Sequence, residues 1–122
     1  QYHEYPSPEV RPQQQQDFRR MADAGALIVS GSQAHLPQVM EFYKEAFIHY
    51  GLGNLFFDQM GDVNKGIAVT RYEFLDRHVF YDGRYLGVEL ITALLEDYAR
   101  PRPMTPAERL KILNDYFGLS GW

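Results

Sequence analysis

The sequence has no cysteine, no long apolar run and no excess of basic residues, and each absence excludes a class of protein or site. Without cysteine there are no disulfides, no thiolate metal ligands and no cysteine nucleophile. No stretch reaches the roughly 18 consecutive apolar residues that a membrane-spanning helix needs. With 16 acidic against 12 basic residues the net charge is −4, so nucleic acid is a poor candidate partner.

The composition that is present predicts a folded globular unit. Of the 122 residues, 45% are hydrophobic and 15% aromatic, which is enough to build one core. We therefore predict a single domain, or a domain fragment, over residues 1–122. The chain begins at Gln1 rather than Met, and we expect from this that it is a piece of a longer protein.

The start of the chain predicts a short strand followed by a helix. Residues 1–5 favour a strand that the following prolines end. Apolar residues then recur at helical spacing from Pro12, and Gly25 is a suitable C-terminal cap. The glutamines at 13–16 fall in the first turns of this helix, where we expect a solvated face.

Three strands are predicted next. The apolar run Leu27–Val29 is typical of a strand that is buried on both faces. Val39–Tyr43 and Ala46–Tyr50 read as a hairpin with a polar tip at Lys44-Glu45. The loop over residues 30–38 follows the C-terminal end of a buried strand, where α/β sheets commonly bind ligands.

The second half reads as mostly antiparallel structure. Gly66–Phe74 and His78–Tyr81 favour strands, and the Asp82-Gly83 turn predicts a hairpin with a strand over Arg84–Leu95. A helix over Glu89–Tyr98 is the alternative, since Leu, Ala and Glu favour helices.

The end of the chain predicts a connector and a terminal helix. Pro101 and Pro103 favour a rigid connector, and the Thr105–Glu108 segment is a capping box with proline at the first helical position. We expect Gly118 to end this helix. Four residues form the predicted buried stripe: Leu110, Leu113, Tyr116 and Phe117. Together with the first half, these elements predict an α/β fold.

Two polar loops are the best candidates for a functional site. His35 lies in the loop after the first strand, where an imidazole can bind a divalent metal, act as acid or base, or contact a phosphate. Ser32, Gln33 and Gln38 can orient a ring nitrogen or bind the oxygens of a ligand. The plainer interpretation is a structural or solvated histidine.

The second loop and two smaller clusters carry weaker signals. Asn54 after Gly51-x-Gly53 can bind a ligand or complete a tight turn, and the glycines lack the third glycine of a dinucleotide fingerprint. Asp58 is either a supporting carboxylate or a turn residue. His3-Glu4 pairs an imidazole with a carboxylate near the start. The charged residues at 76–78 are expected to form a solvated loop between strands.

Both polar loops resemble those of a known family. The segment Gly31-Ser32-Gln33-Ala34-His35-Leu36-Pro37-Gln38 is similar to the Gly-His-x-Pro-His-x-x-Gln loop of the bacterial capsule-synthesis, poly-gamma-glutamate CapA family. Tyr50-Gly51-Leu52-Gly53-Asn54-Leu55-Phe56-Phe57-Asp58-Gln59 resembles the family's Tyr-Ser-Leu-Gly-Asn-Phe-x-Phe-Asp-Gln segment. The resemblance covers residues 1 to about 60 well and is weak in motif beyond them.

The resemblance implies the C-terminal part of a layered, calcineurin-like metallophosphoesterase α/β sandwich. It implies His35 as catalytic and metal-ligating residue, with Mn, Fe or Zn as the divalent metal, and four substrate-binding residues: Gln33, Gln38, Asn54 and Asp58. The partner implied is an anionic polymer, poly-gamma-glutamate or a capsular glycan, handled outside the membrane or at it.

The departures from the family pattern leave two functions open. Ser32 replaces a family histidine, and Gln1-Tyr2-His3 stands where the family has His-Trp-Gly. Serine and glutamine are poor substitutes for imidazole on a transition metal. The full-length protein is then either a metal-dependent hydrolase or a metal-free module that binds polymer. We also expect exposed strand edges that allow pairing between copies of the chain.

Overall fold

Two three-stranded sheets and two α-helices form the regular structure of residues 7–57, 68–97 and 99–122, the part of the chain that the computed structural model describes. The α/β class, the antiparallel second half and the terminal helix are confirmed. Four sequence predictions fall partly or wholly outside the described residues. These are the strand over 1–5, the His3-Glu4 pair, Asp58, and the start of the strand predicted from Gly66.

The first helix, α1, spans Pro12–Asp23 and packs on one face of the first sheet. It ends at Ala24, and Gly25 follows with φ of 102°, a left-handed conformation that glycine adopts without a steric penalty. Phe18 lies 4% exposed, and its ring stacks on Tyr50 with centroids 5.2 Å apart. This cluster of Phe18, Val29, Ile48 and Tyr50 fixes α1 to the sheet.

The first sheet contains β1 (Ile28–Ser30), β2 (Met40–Tyr43) and β3 (Ala46–His49) in the order β1-β3-β2. β2 and β3 form the predicted hairpin, and β1 runs parallel to β3. The prediction that β1 is buried on both faces is wrong. Only Val29 of that run is buried, and Leu27 is 37% exposed, because β1 is the edge strand of this sheet.

The second sheet is antiparallel, with the order β4-β5-β6. A 3₁₀ turn at Ala68–Arg71 leads into β4 (Tyr72–Tyr81), which pairs along its length with β5 (Arg84–Glu96). The Asp82-Gly83 hairpin and the strand over 84–95 are confirmed, and the helical alternative is wrong. β4 also runs unbroken through residues 76–78, so the loop predicted there is wrong too.

The Pro101–Pro103 segment is a strand rather than a bare connector. It belongs to β6 (Arg100–Pro103), whose residues pair with the end of β5 in the register Leu95 to Pro101 and Ala93 to Pro103. Proline has no amide hydrogen to donate and is tolerated at a sheet edge. β6 occupies that edge position.

The terminal helix, α2, spans Pro106–Ser120 and is capped as predicted at its start. It continues past Gly118 and ends at Gly121, which has φ of 81°, so the predicted end is wrong. The buried stripe is also shifted. Ile112 and Tyr116 are buried one turn apart, while Leu110 is 62% exposed because it faces away from the sheets.

A shared core joins both sheets to α2. Its buried members are Met40, Phe47, Phe74, Leu90, Ile112 and Tyr116. The Tyr116 hydroxyl donates a 2.9 Å hydrogen bond to the Pro37 carbonyl, which ties α2 to the first polar loop. Neither described helix is long and apolar enough to cross a membrane.

Candidate functional site at the two polar loops

The first polar loop runs tightly against the end of β3 because of Gly31. The Gly31 amide donates to the His49 carbonyl at 2.8 Å. A Cβ at Gly31 would lie 1.9 Å from the Tyr50 carbonyl oxygen, which no side chain can tolerate. Glycine at this position therefore allows the loop to turn directly beside β3.

Two residues of the same loop have strained backbones. Gln33 has φ of 85° and His35 has φ of 60°, in the left-handed region that residues with a Cβ adopt at a cost. Strain of this kind persists only where surrounding contacts enforce it, and it concentrates at functional sites. The conformation of His35 is thus imposed by its neighbours.

His35 and Asn54 form the hydrogen-bonded centre of the site. His35 Nδ1 lies 3.0 Å from Asn54 Oδ1, and Asn54 Nδ2 donates to the Thr70 carbonyl at 3.1 Å. A carbonyl accepts only, so the Asn54 amide must turn its nitrogen to Thr70 and its oxygen to His35. His35 Nδ1 therefore carries a proton, and in the neutral ring the lone pair is on Nε2.

Gly53 brings Asn54 against the second sheet. It has φ of 90° and pairs with Glu73 in an isolated antiparallel bridge. A Cβ at Gly53 would lie 2.4 Å from the Tyr72 carbonyl oxygen. This close approach leaves Asn54 only 5% exposed, in reach of Thr70.

Three exposed apolar side chains follow Asn54 directly in the chain. Leu55, Phe56 and Phe57 are 49%, 70% and 44% exposed, respectively. The Phe57 ring lies 4.7 Å from the His35 ring, centroid to centroid. An imidazole beside exposed apolar groups can bind a ligand that carries both polar and aliphatic parts.

Gln38 holds the architecture of the site together. It is 1% exposed; its Nε2 donates to the Ser7 and Glu9 carbonyls at 3.1 and 3.2 Å, and its Oε1 accepts from Gln14 at 3.1 Å. Its amide is therefore engaged by the chain itself. Its substrate-binding role stays a prediction, as do the roles of half-buried Gln33 and of Asp58, which lies outside the described residues.

The solvated glutamine face predicted for α1 is wrong at one position. Gln14 is 2% exposed and donates to Gln38 at 3.1 Å and to the Tyr50 carbonyl at 3.3 Å. The other glutamines of that run are exposed or partly buried. Sequence alone does not distinguish Gln14, because its buried partners are 24 and 36 residues away.

The described residues do not by themselves fit a metal centre. No three histidine, aspartate or glutamate side chains among them converge as a ligand set. His35 is the one imidazole of the polar loops, and Ser32 is exposed. A transition metal commonly takes three or four protein ligands, so a metal at this site would need ligands from outside the described residues.

Sequence reasoning missed a buried ionisable pair between the sheets. His49 Nδ1 lies 2.7 Å from an Asp76 carboxylate oxygen, with side chains 0% and 3% exposed. His49 Nε2 and the other Asp76 oxygen have no hydrogen-bond partner among residues 7–57, 68–97 and 99–122. The available signal was the alternation along β4, which puts Phe74 and Asp76 on one face.

Glu73 is a second buried carboxylate that the sequence reading passed over. It is 1% exposed, and both of its oxygens lack a partner among the described residues. Burial raises the pKa of Glu73 to about 7. It lies on β4 on the face opposite Asp76, beside Gly53.

Comparisons with known proteins match the first half of the chain. Residues 2–59 match the family described as bacterial capsule synthesis protein PGA_cap. The chain is 38% identical over 65 residues to the capsule biosynthesis protein CapA of Bacillus anthracis, covering 53% of this chain. It is 39% identical over 59 residues to the PGA biosynthesis protein CapA of Bacillus subtilis (strain 168), covering 48% of this chain. The matched segment spans 16% of the length of each relative.

Proposed function

Since the chain belongs through residues 2–59 to the bacterial capsule synthesis PGA_cap family, we propose that it handles the capsule or PGA polymer and holds it at the His35–Asn54 pair. The family relationship supports a function in capsule or PGA biosynthesis. The hydrogen-bonded chain from His35 through Asn54 to Thr70 is the observation that carries the polymer-binding role.

The chemistry of the pair suits a polymer with amides or hydroxyls. With Nδ1–H committed to Asn54, the neutral His35 ring accepts a hydrogen bond at Nε2, from an amide N–H or a sugar hydroxyl. When protonated, the same nitrogen donates to a carboxylate. The exposed Phe56 and Phe57 offer apolar surface for the aliphatic part of the repeating unit.

Polymer binding is measured by fluorescence anisotropy with a labelled, γ-linked glutamate oligomer in EDTA. We expect saturable binding that His35→Ala weakens about tenfold, because one hydrogen bond to the polymer is lost. His78→Ala is the matched control, since it removes an imidazole from β4, and it should stay within about twofold. Absence of saturable binding, or binding that EDTA abolishes, would contradict the proposal.

A metal-dependent hydrolase is the second candidate. The position of the His35 ring proton, on Nδ1 rather than Nε2, favours it. Metal-ligating histidines commonly donate one ring N–H to an oxygen and bind the metal through the other nitrogen. His35 has that arrangement toward Asn54. Further ligands would have to come from outside the described residues.

Elemental analysis separates the two candidates. The hydrolase requires near-stoichiometric Mn, Fe or Zn in the full-length protein purified without chelator, and less of it in His35→Ala. If neither protein contains metal, the hydrolase is excluded and the polymer-binding role stands on the anisotropy result alone.

A further inference from the structure

We propose that the groove between the start of β4 and α2 is a second binding site, which takes a carboxylate on a short aliphatic stem. The groove lies on a part of the chain that the family match does not cover. A cavity of about 130 Å³ is lined there by the polar residues Arg71, Tyr72, Glu108, Lys111 and Asp115 and by the apolar Leu94 and Ile112. It shares Tyr72, Lys111 and Asp115 with a neighbouring cavity of about 420 Å³.

Arg71 supplies the group that would bind the carboxylate. Its Nε donates a 2.8 Å hydrogen bond to the Leu95 carbonyl, which fixes the plane of the guanidinium. Its two terminal nitrogens have no acceptor among the described residues. An arginine held in this way presents a ready fork for a carboxylate, with little further loss of side-chain freedom.

The acidic residues of the groove are already neutralised by the chain. Both Glu108 oxygens accept from Arg102 at 2.7 Å, and Arg102 together with the Thr105 amide holds the pKa of Glu108 at about 2. Asp115 is paired with Lys111 at 2.6 Å. The charge of Arg71 is thus left uncompensated in the groove, which favours an anion.

The remaining lining fits the stem of the ligand and one more oxygen. Leu94 and Ile112 are 8% and 3% exposed and form an apolar wall. Tyr72 and Lys111 line the same cavity, so a phenol hydroxyl and an ammonium border the space beside Arg71. A carboxylate on Arg71 would have the Tyr72 hydroxyl and Lys111 as further donors.

The identity of the natural ligand depends on the proposed function, whereas the existence of the binding site does not. If the protein handles an anionic polymer, side-chain carboxylates of that polymer are the groups that fit this groove. The groove and the His35–Asn54 pair would then grip separate parts of the same chain. The two claims are tested with different probes so that each can fail alone.

Glutarate is the probe for the groove, followed by ¹H–¹⁵N NMR of the protein, with the neutral diamide glutaramide as reference. We expect glutarate, and not glutaramide, to shift the Arg71 Nε and Tyr72 amide signals saturably. Arg71→Gln should weaken glutarate binding about tenfold, because a charge-assisted bidentate contact is lost. Arg84→Gln, the same change on the exposed β4–β5 hairpin, should stay within about twofold.

Arg71→Lys is a second variant, included because Arg71→Gln could also weaken binding by disturbing the fold. It keeps the charge but removes the fork, and we expect binding about fivefold weaker. Unshifted Arg71 signals, wild-type affinity in Arg71→Lys, or equal losses in Arg71→Gln and Arg84→Gln would overturn the site. A different outcome would overturn only the proposed function: glutarate binds at Arg71, but His35→Ala leaves the affinity for the polymer unchanged. The groove would then remain a carboxylate site.

Discussion

The two halves of the described chain use their polar residues in different ways. In residues 7–57 the polar side chains of the candidate site lie in loops at strand ends, where Gln33 and His35 have left-handed backbones, and this half carries the family match. In residues 68–122 the buried carboxylates Glu73 and Asp76 sit inside a regular strand. The first half forms the site, and the second half holds it in place.

Three contacts make that dependence concrete. Asn54 donates to the Thr70 carbonyl, Tyr116 donates to the Pro37 carbonyl, and His49 pairs with Asp76. Each joins a residue near the candidate site to the half that the family match does not cover. Variants that remove buried polar groups from each half, one at a time, measure how much each group contributes to the stability of the fold.

The largest effect is expected from Asp76→Ala. Asp76→Ala removes one partner of a buried, hydrogen-bonded pair and leaves His49 buried without it, and we expect a loss of about 3 to 5 kcal/mol in the free energy of unfolding. Urea denaturation measures this. Asp97→Ala is the control, because Asp97 is 73% exposed and its pair with Arg100 is worth under about 1 kcal/mol. Equal losses in the two variants would mean that the pair does not join the halves.

Glu73→Gln should have the next largest effect, and the effect depends on pH. Because the folded pKa is raised from 4.5 to about 7, the protonated carboxyl is favoured in the folded state. The contribution of Glu73 to the free energy of unfolding is therefore fully present below pH 4.5. It is lost as the pH rises to about 7, by about 3 kcal/mol in all. The glutamine variant should lose this slope and be more stable than wild type at pH 8.

Thermal unfolding across pH 4 to 8 tests this prediction. Glu89→Gln, an exposed change on β5, serves as its control and should keep the wild-type slope in this range. A Glu73→Gln profile parallel to wild type would show that Glu73 ionises without cost.

A smaller effect is expected from Gln14→Ala in the first half. The change removes two buried hydrogen bonds and leaves Gln38 Oε1 without that donor, so we expect about 1 to 3 kcal/mol of destabilisation. Gln16→Ala, on the exposed face of the same helix, should change stability by less than about 0.5 kcal/mol. Equal effects at both positions would mean that Gln14 contributes no more than a solvated glutamine of the same helix.

Local patterns were enough to predict most of the fold. The β2–β3 hairpin, the Asp82-Gly83 turn and the capping box at Thr105 are all set by neighbours in sequence, and all three are confirmed. The wrong predictions concern residues whose environment depends on a partner that is distant in sequence. Asp76 looks like a loop residue until His49, 27 positions away, is placed opposite it.

In the candidate site, too, local features could be predicted from the sequence and long-range contacts could not. The sequence could single out His35 and Asn54, because both stand in unusual polar loops. It could not predict that they bond to one another, nor that Thr70 orients Asn54, since these contacts span 19 and 16 residues. Arg71 was passed over because its role depends on a carbonyl 24 residues away.

Asn54, which Thr70 of the second half holds in place, sets the position of the ring proton on His35. ¹⁵N NMR of the imidazole nitrogens tests it most directly, in wild type and in Asn54→Leu at a pH where the ring is neutral. We predict a protonated Nδ1 and an unprotonated Nε2 in wild type, with the preference lost in the variant. A wild-type ring protonated on Nε2, or a ring whose proton position is unchanged by Asn54→Leu, would show that Asn54 does not orient His35.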